Sequence, residues 1–429
     1  MNSEQQQIIA LINREVIPAI GCTEPIAVSL CTARAAELLG CTPEKIELHL
    51  SANIIKNAMG VGIPGTGMIG LPIAVALGAL IGKSEYQLEV LRDCNDEAVS
   101  RGQAFINENR INISLKDTTE TLYIEVHCYS GEHHSTAIIS GSHTNFIYLE
   151  HDGEVVLKAD DSKADNANNE CNDIELTLRS VWDFAMNTDM EDLRFILKTK
   201  ELNDAVSRTS LNGHFGHEVG RTVRESSEQY RMFGDFTYMH ILSRTAAACD
   251  ARMAGCPMAV MSNSGSGNQG ISATMPVVTY AEDNNATEEQ LIRALALSHL
   301  TVIYIKQSLG RLSALCGCVV AATGSSAGIT YLMGGNFTKV EYAVKNMVAT
   351  LTGMLCDGAK PSCSLKVASG VSSAIMCALL AMKGKCVTAV EGIIDESVDK
   401  SIRNMTTVGR EGMMSTDKLV LNIMTTKNK

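Results

Sequence analysis

Basic side chains are the minority among the charges of this chain: 36 Lys and Arg stand against 48 Asp and Glu, a formal charge of -12. The average surface therefore repels phosphate backbones and anionic lipid, and neither nucleic acid nor membrane is an expected partner. Long apolar runs are also missing. The longest apolar stretch, Met68 to Gly82, is shorter than the roughly 20 residues needed to span a bilayer and is interrupted by Pro72. No Cys-x-x-Cys pair occurs, which argues against a zinc ribbon or a thioredoxin-like dithiol. The start Met1-Asn2-Ser3-Glu4 carries no export signal, so a reducing, cytoplasmic setting with open thiols is expected rather than a disulfide framework. Aromatic residues are scarce at 4%, and no internal repeat of fixed period is visible.

What the chain does have is 429 residues, 45% of them apolar, which suffices for two or three domains and a large core without staples. It also has 34 glycines and 14 cysteines. The N-terminus predicts two helices meeting at a corner. Ser3 with Gln6 gives a capping-box pattern, and Thr23 is the expected N-cap of the second helix, with Cys22 at the corner and Gly40 past the end. Ile46, Leu48 and Leu50 alternate as a half-buried strand does. Helices are expected around Ile69 to Ile81 and Gln87 to Ile106. Short alternating runs follow at Ile111 to Leu115, Leu122 to Cys128, Ala137 to Ser140 and Phe146 to Leu157, the last with an Asp152-Gly153 hairpin signal.

The polar stretch Asp160 to Asp173 predicts a linker; its carboxylate spacing and lack of a sixth-position glycine exclude a calcium loop. Beyond it helical periodicity dominates: 176–186, 190–202, 217–232, 238–253, 288–309, 339–355, 365–382 and 395–404.

Eight of the 14 cysteines lie between Cys249 and Cys386. Cys249 and Cys377 fall in apolar helical runs and are expected to pack as small hydrophobes. Cys316, Cys318, Cys356 and Cys363 instead sit in glycine-rich breaks, where backbone N–H groups stabilise ligated thiolate. On spacing alone they fit packing, an iron–sulfur cluster or zinc, in falling order. Cys22, just before a helix start, is either an activated thiolate or an inert capped thiol: the helix dipole lowers its pKa and neighbouring Glu24 raises it.

Of the glycine-rich segments, Asn57 to Gly70 ends at a helix start and is expected to receive a carboxylate on its N–H groups. Gly265, Gly267 and Gly270 satisfy G-x-G-x-x-G formally, but Pro276 is expected to cut the following helix and no acidic partner follows, so dinucleotide binding is excluded. Gly358-Ala359-Lys360 fails the P-loop spacing. Among ten histidines, His143 in Gly141-Ser142-His143-Thr144 is the one a loop between strands can present.

Six segments together carry a resemblance: GCTEP (21–25), KNAMGVGIPGTGMIGLPIA (56–74), GSHTN (141–145), SGSGNQG (264–270), LSALCGCVVAATGSSAGITYLMGG (312–335) and GMLCDGAKPSCSLK (353–366). Over nearly its whole length the chain resembles the UPF0597 family, which includes L-cysteine desulfidases and is related to the α part of iron–sulfur L-serine dehydratases. The resemblance implies a lyase with a 4Fe-4S cluster held by Cys316, Cys356 and Cys363, leaving one iron without a protein ligand. Cys318 is then a neighbour outside the pattern, and Cys22 the thiol that takes the substrate's Cα proton. Thr66, Ser264, Ser266 and Asn268 are expected to receive the amino-acid carboxylate, with Lys56, Asn57, His143 and Thr144 close by.

The activity implied is PLP-independent α,β-elimination of L-cysteine to pyruvate, ammonia and hydrogen sulfide. L-Serine dehydration by the same site is the alternative, and a non-catalytic iron–sulfur electron-transfer or sensor protein the alternative of another class. The expected architecture is α+β: residues 1–42 as helices packed on a helical iron–sulfur catalytic domain of 174–429, with a smaller mixed domain of 43–159 inserted and 160–173 as linker. A homodimer is expected from the related dehydratases.

Overall fold

The first helix, α1 (Ser3–Glu15), starts one residue earlier than its sequence pattern suggests. The Asn2 side chain accepts from the Gln5 amide and Gln5 returns the bond, so the capping box is Asn2 with Gln5 rather than Ser3 with Gln6. The three-residue strand β1 (Pro18–Ile20) is too short to show a period; it pairs antiparallel with Ala259–Met261 far along the chain. In α2 (Thr23–Leu39) the N-cap is Cys22, in extended backbone, and Thr23 is already helical. The structure is a computed structural model and describes residues 2–159, 174–230, 236–310 and 313–426, so the expected linker 160–173 lies outside the described residues.

The next segment holds β2 (Lys45–Leu50), α3 (Ala52–Ala58), α4 (Leu71–Ile81), α5 (Asp96–Asn107), β3 (Ile111–Leu115), β4 (Tyr123–Ser130), β5 (His133–Ser140), β6 (Phe146–His151) and β7 (Glu154–Lys158). They form a six-stranded sheet in the order β3-β2-β4-β5-β6-β7, parallel only between β2 and β3. Ile46, Leu48 and Leu50 are buried, as their alternation predicts. The single helix expected over 87–106 is instead a 3₁₀ turn, Ser84–Glu89, broken at Gln87 (φ 51°), followed by α5, whose cap is Asn95 on the Ala98 amide.

α2 does not pack on the helical core as expected. Its apolar residues, Ile26, Leu30 and Cys31 among them, join the core of the sheet, whereas Ile8, Leu11 and Ile12 of α1 join the helical core. The reason is a close crossing with α4: Gly78 brings the backbones together where a Cβ would fall 2.6 Å from the Ser29 carbonyl oxygen. Ser29 Oγ then donates to the Ala74 carbonyl at 2.8 Å.

The rest is helical apart from Ala259–Met261: α6 (Leu178–Asn187), α7 (Leu197–Leu211), α8 (Val219–Tyr230), α9 (Thr237–Met253), α10 (Gly267–Asp283), α11 (Glu288–Leu309), α12 (Gly317–Leu332), α13 (Phe337–Leu351), α14 (Cys363–Met382), α15 (Val398–Thr407) and α16 (Met414–Thr426), with short turns between. The whole is an α+β fold. α10 runs through Pro276 instead of ending there, because packing on α9, α11 and α12 outweighs the lost backbone bond. α12 is unexpected for another reason: it is buried on every side from Cys318 to Thr330, so no amphipathic period marks it.

α14 is 20 residues long and passes the length and composition test for a membrane span that Met68 to Gly82 fails. One side of it packs on α9, α12 and α13, and Leu365, Met376, Leu379 and Leu380 are exposed on the other.

α16 returns to the sheet side. Val420 and Leu421 are buried, and Asp417 pairs with Lys56 of α3, whose side chain is 2% exposed. Removing one partner of a buried pair strands the other charge. Asp417→Asn is expected to lower stability by about 3 kcal/mol in urea titration; an unchanged midpoint would show that α16 is held by its apolar residues alone.

Candidate active site

Cys22 sits where the two cores meet. Its thiol donates to Glu24 Oε2 at 2.9 Å and lies 4.0 Å from the Asn57 carbonyl oxygen. Glu24, buried in the first turn of α2, also accepts from the Thr23 hydroxyl and from Asn57 Nδ2, each at 3.2 Å. Burial by itself would raise the Glu24 carboxyl. His143, the Cys22 thiol, a backbone amide and Arg252 outweigh it, and the group is held below the usual carboxylate range. For Cys22 the balance goes the other way: burial and then the Glu24 charge push the thiol well above its ordinary value, against a smaller opposing pull from Arg252. The corner is thus a thiol on a carboxylate, and the helix dipole does not ionise Cys22.

Asn57 and His143 are therefore brought to Cys22 through Glu24. Thr144 is exposed on the same β5–β6 loop. The Asn57 to Gly70 loop does not hold out its amides as expected. Gly62 N–H donates to Met253 O, Gly65 N–H to Gly255 O, Ile63 N–H to Met68 O and Gly70 N–H to Val61 O. The Thr66 hydroxyl donates to Ile63 O at 2.7 Å, so it staples its own turn.

The second glycine-rich loop is different. Ser264, at φ 48°, donates its hydroxyl to Asn263 Oδ1 at 2.8 Å. Ser266 is the N-cap of α10 without a side-chain cap bond, and Asn268 follows in the first turn. The tie between this loop and Cys22 is Arg252, whose Nη2 donates to Gly21 O at 2.9 Å.

The cysteine breaks also converge. Cys316 N–H donates to Met354 O at 3.0 Å and Cys356 N–H to Ala314 O at 2.7 Å, an antiparallel bridge at Leu315 and Leu355 that sets the two cysteines together. Cys316 is the N-cap of α12, and Cys363 opens α14 with its thiol 3.6 Å from Gly358 O. A hydrogen bond from Cys318 holds Cys316 well below the ordinary thiol range, with help from Lys366 and Lys360. Burial keeps Cys356 and Cys363 above it. Cys249, expected as packing, is buried within electrostatic reach of Cys363 and Cys316.

Both lysines are tethered by Asp357. Lys360 Nζ stands 2.5 Å from its carboxylate and Lys366 pairs with the same oxygen; burial opposes ionisation, but the two lysines hold Asp357 at about 2. This loop rests on α3. A Cβ at Gly358 (φ 90°) would fall 2.0 Å from Lys56 O, and the Lys56 charge acts on Cys356. Lys56 thus faces the cysteines and Asn57 faces Glu24.

Among the described residues, no three His, Cys, Asp or Glu side chains are grouped to hold a single metal ion. A cluster several atoms across spaces its anchoring sulfurs more widely than one ion does. Cys316, Cys356 and Cys363 suit such a group chemically: three converging thiols, one of them favoured as thiolate, with Lys360 and Lys366 to offset the charge.

Sequence reasoning missed Arg252, Lys360, Lys366 and Asp357, and weighed Glu24 only as a charge opposing Cys22. An acid in the first helical turn beside an N-cap cysteine was the available signal for Glu24.

Fold and site together define an α+β protein in which a buried thiol–carboxylate corner adjoins a lysine-lined cysteine cluster. The family model for the serine dehydratase alpha chain matches residues 85–422. A UPF0597 protein of Bacteroides thetaiotaomicron is 64% identical over 428 residues, covering 100% of this chain and 99% of the relative. A UPF0597 protein of Bacteroides fragilis is 64% identical over 426 residues, and one of Porphyromonas gingivalis 53% over 431, each covering 99% of both chains. The chain belongs to the UPF0597, serine dehydratase alpha-like family.

Glu24 raises the Cys22 thiol both by charge and by accepting its proton in a hydrogen bond. Glu24→Gln removes the charge while burial remains, so the thiolate fraction at pH 8 rises. Faster iodoacetamide labelling of Cys22, followed by mass spectrometry, is the expected outcome; slower labelling would mean that Glu24 activates the thiol.

Proposed function

We propose that the chain is a lyase that carries out PLP-independent α,β-elimination on a small amino acid, L-cysteine first, releasing pyruvate, ammonia and hydrogen sulfide. The observation that carries this is the coupling of the Cys22–Glu24 pair, through Asn57 and Lys56, to the loop bearing Cys356. In the family resemblance, Cys316, Cys356 and Cys363 would hold a 4Fe-4S cluster, whose open iron supplies a Lewis acid for the carboxylate or departing β-group.

The chain's own residues do the rest. The substrate carboxylate goes to the start of α10 at Ser266 and Asn268, whose first-turn amides lack a cap, with Ser264 shaping the loop. Lys56 stands at the cluster edge. Cys22, relieved of its proton by Glu24, takes the Cα proton; His143 keeps Glu24 ionised so that it can accept. Burial of this corner excludes water while the enamine product forms and leaves. Hydrolysis of its imine tautomer gives pyruvate and ammonia.

In this proposal the helical part, 174–429, is the catalytic unit, and the inserted domain 43–159 closes over Cys22. A cytoplasmic homodimer belongs to the same proposal. L-Serine is the second reading, favoured by the serine dehydratase alpha chain match.

Anaerobic assays with sulfide and pyruvate measured separately distinguish the two: pyruvate from serine with no sulfide from cysteine sinks the cysteine assignment. Cys22→Ala is expected to retain iron and visible absorbance while elimination falls by about 10²- to 10⁴-fold. Cys318→Ala is expected to keep both; loss of iron there would favour a closed four-cysteine site that transfers electrons.

A further inference from the structure

Resting on the elimination reading for the choice of ligand, we infer that Arg252 receives the α-carboxylate of the amino acid and Glu24 its ammonium. Arg252, at the end of α9, is 4% exposed and enters no ion pair among the described residues. Its Nη2 is satisfied by Gly21 O, but its buried Nε has no partner. The side chain lies against Gly267, where a Cβ would fall 2.3 Å from Nε, so only glycine admits the guanidinium at the head of α10. That head has no side-chain cap, and Asn268, 7% exposed, has its Oδ1 unpartnered. Two kinds of donor, a guanidinium N–H and open first-turn amides, thus meet with no anion between them. A buried cation in that state calls for a carboxylate, which guanidinium and helix N-terminus both suit.

Glu24 supplies the opposite charge. It is buried, ionised and bound to Cys22, and it lies within electrostatic reach of Arg252. A zwitterion carries both charges on one carbon. An amino acid with its carboxylate on Arg252 and its ammonium on Glu24 brings its Cα beside Cys22, between them. The site then selects for both charges and rejects amides, amines and hydroxy acids.

Calorimetry on the full-length, anaerobically prepared protein tests this with three ligands that have no β-leaving group: L-alanine, L-alaninamide and L-lactate. The wild-type protein is expected to prefer L-alanine over each of the others by at least about ten-fold. Arg252→Gln and the milder Arg252→Lys should weaken L-alanine by about 10- to 100-fold and leave L-alaninamide unchanged. Glu24→Gln should erase the preference over L-lactate.

Equal weakening of all three ligands would assign Arg252 to structure alone and overturn the inference. So would an Arg252→Lys enzyme that makes pyruvate with unchanged KM, an outcome that leaves the elimination standing. A wild-type protein that binds L-alanine through Arg252 but eliminates no amino acid sinks the elimination and supports the carboxylate assignment.

Discussion

A carboxylate removed from water must be matched by donors, and Glu24 is matched from several segments at once. Cys22 and Thr23 come from its own turn, Asn57 from α3, His143 from the β5–β6 loop, and Arg252 acts from the end of α9. These partners belong to both layers of the molecule. Cys22 packs with the helical core and Ile26, one turn on, with the sheet core. The charge at Glu24 therefore fixes how the two layers meet. Without it, the Asn57 amide and the Cys22 thiol would lose a buried partner, and unsatisfied buried groups cost more than their bonds yield.

The cysteine cluster is governed by the converse problem, negative charge gathered in one place. Thiolates at Cys316, Cys356 and Cys363 would repel one another, and Lys56, Lys360 and Lys366 offset that repulsion. The lysines are in turn pinned by Asp417 and Asp357. Without a bound group, Cys316 alone of the three is held below the ordinary thiol range. Loading the site then requires proton loss at Cys356 and Cys363, which becomes harder as pH falls. The α3 backbone joins the two problems, since consecutive residues Lys56 and Asn57 serve the cluster and the thiol corner.

Much of this was legible in the sequence because it rests on local rules. Alternation at Ile46, Leu48 and Leu50 gave β2, and glycine-rich breaks located Cys316, Cys356 and Cys363 between helices. Where tertiary contact overrode local preference, the signal was absent. α12 is surrounded and so has no polar face, and α10 keeps Pro276 because three helices pack around it. β1 is too short for a period, although its pairing with Ala259–Met261 seats the Cys22 corner. The Asn57 to Gly70 loop reads as an anion cradle, yet its glycines serve close packing: a Cβ at Gly62 would fall 2.3 Å from the Ala254 carbonyl carbon. Arg252 looks in sequence like one more charge near a helix end. Only its burial against Gly267 marks it out.

On the proposed reading, the protonation of the corner also explains why it is quiet when empty. Cys22 and Glu24 share one proton across 2.9 Å, and the two groups titrate as a pair. Burial and the Glu24 charge place that proton on sulfur, the unreactive form toward alkylating and oxidising agents. A substrate ammonium beside Glu24 would change the balance, because a nearby positive charge favours every negative state of the pair. The thiol then gives up its proton more readily when an amino acid is present to be deprotonated. The charge that identifies the substrate is also the charge that readies the base.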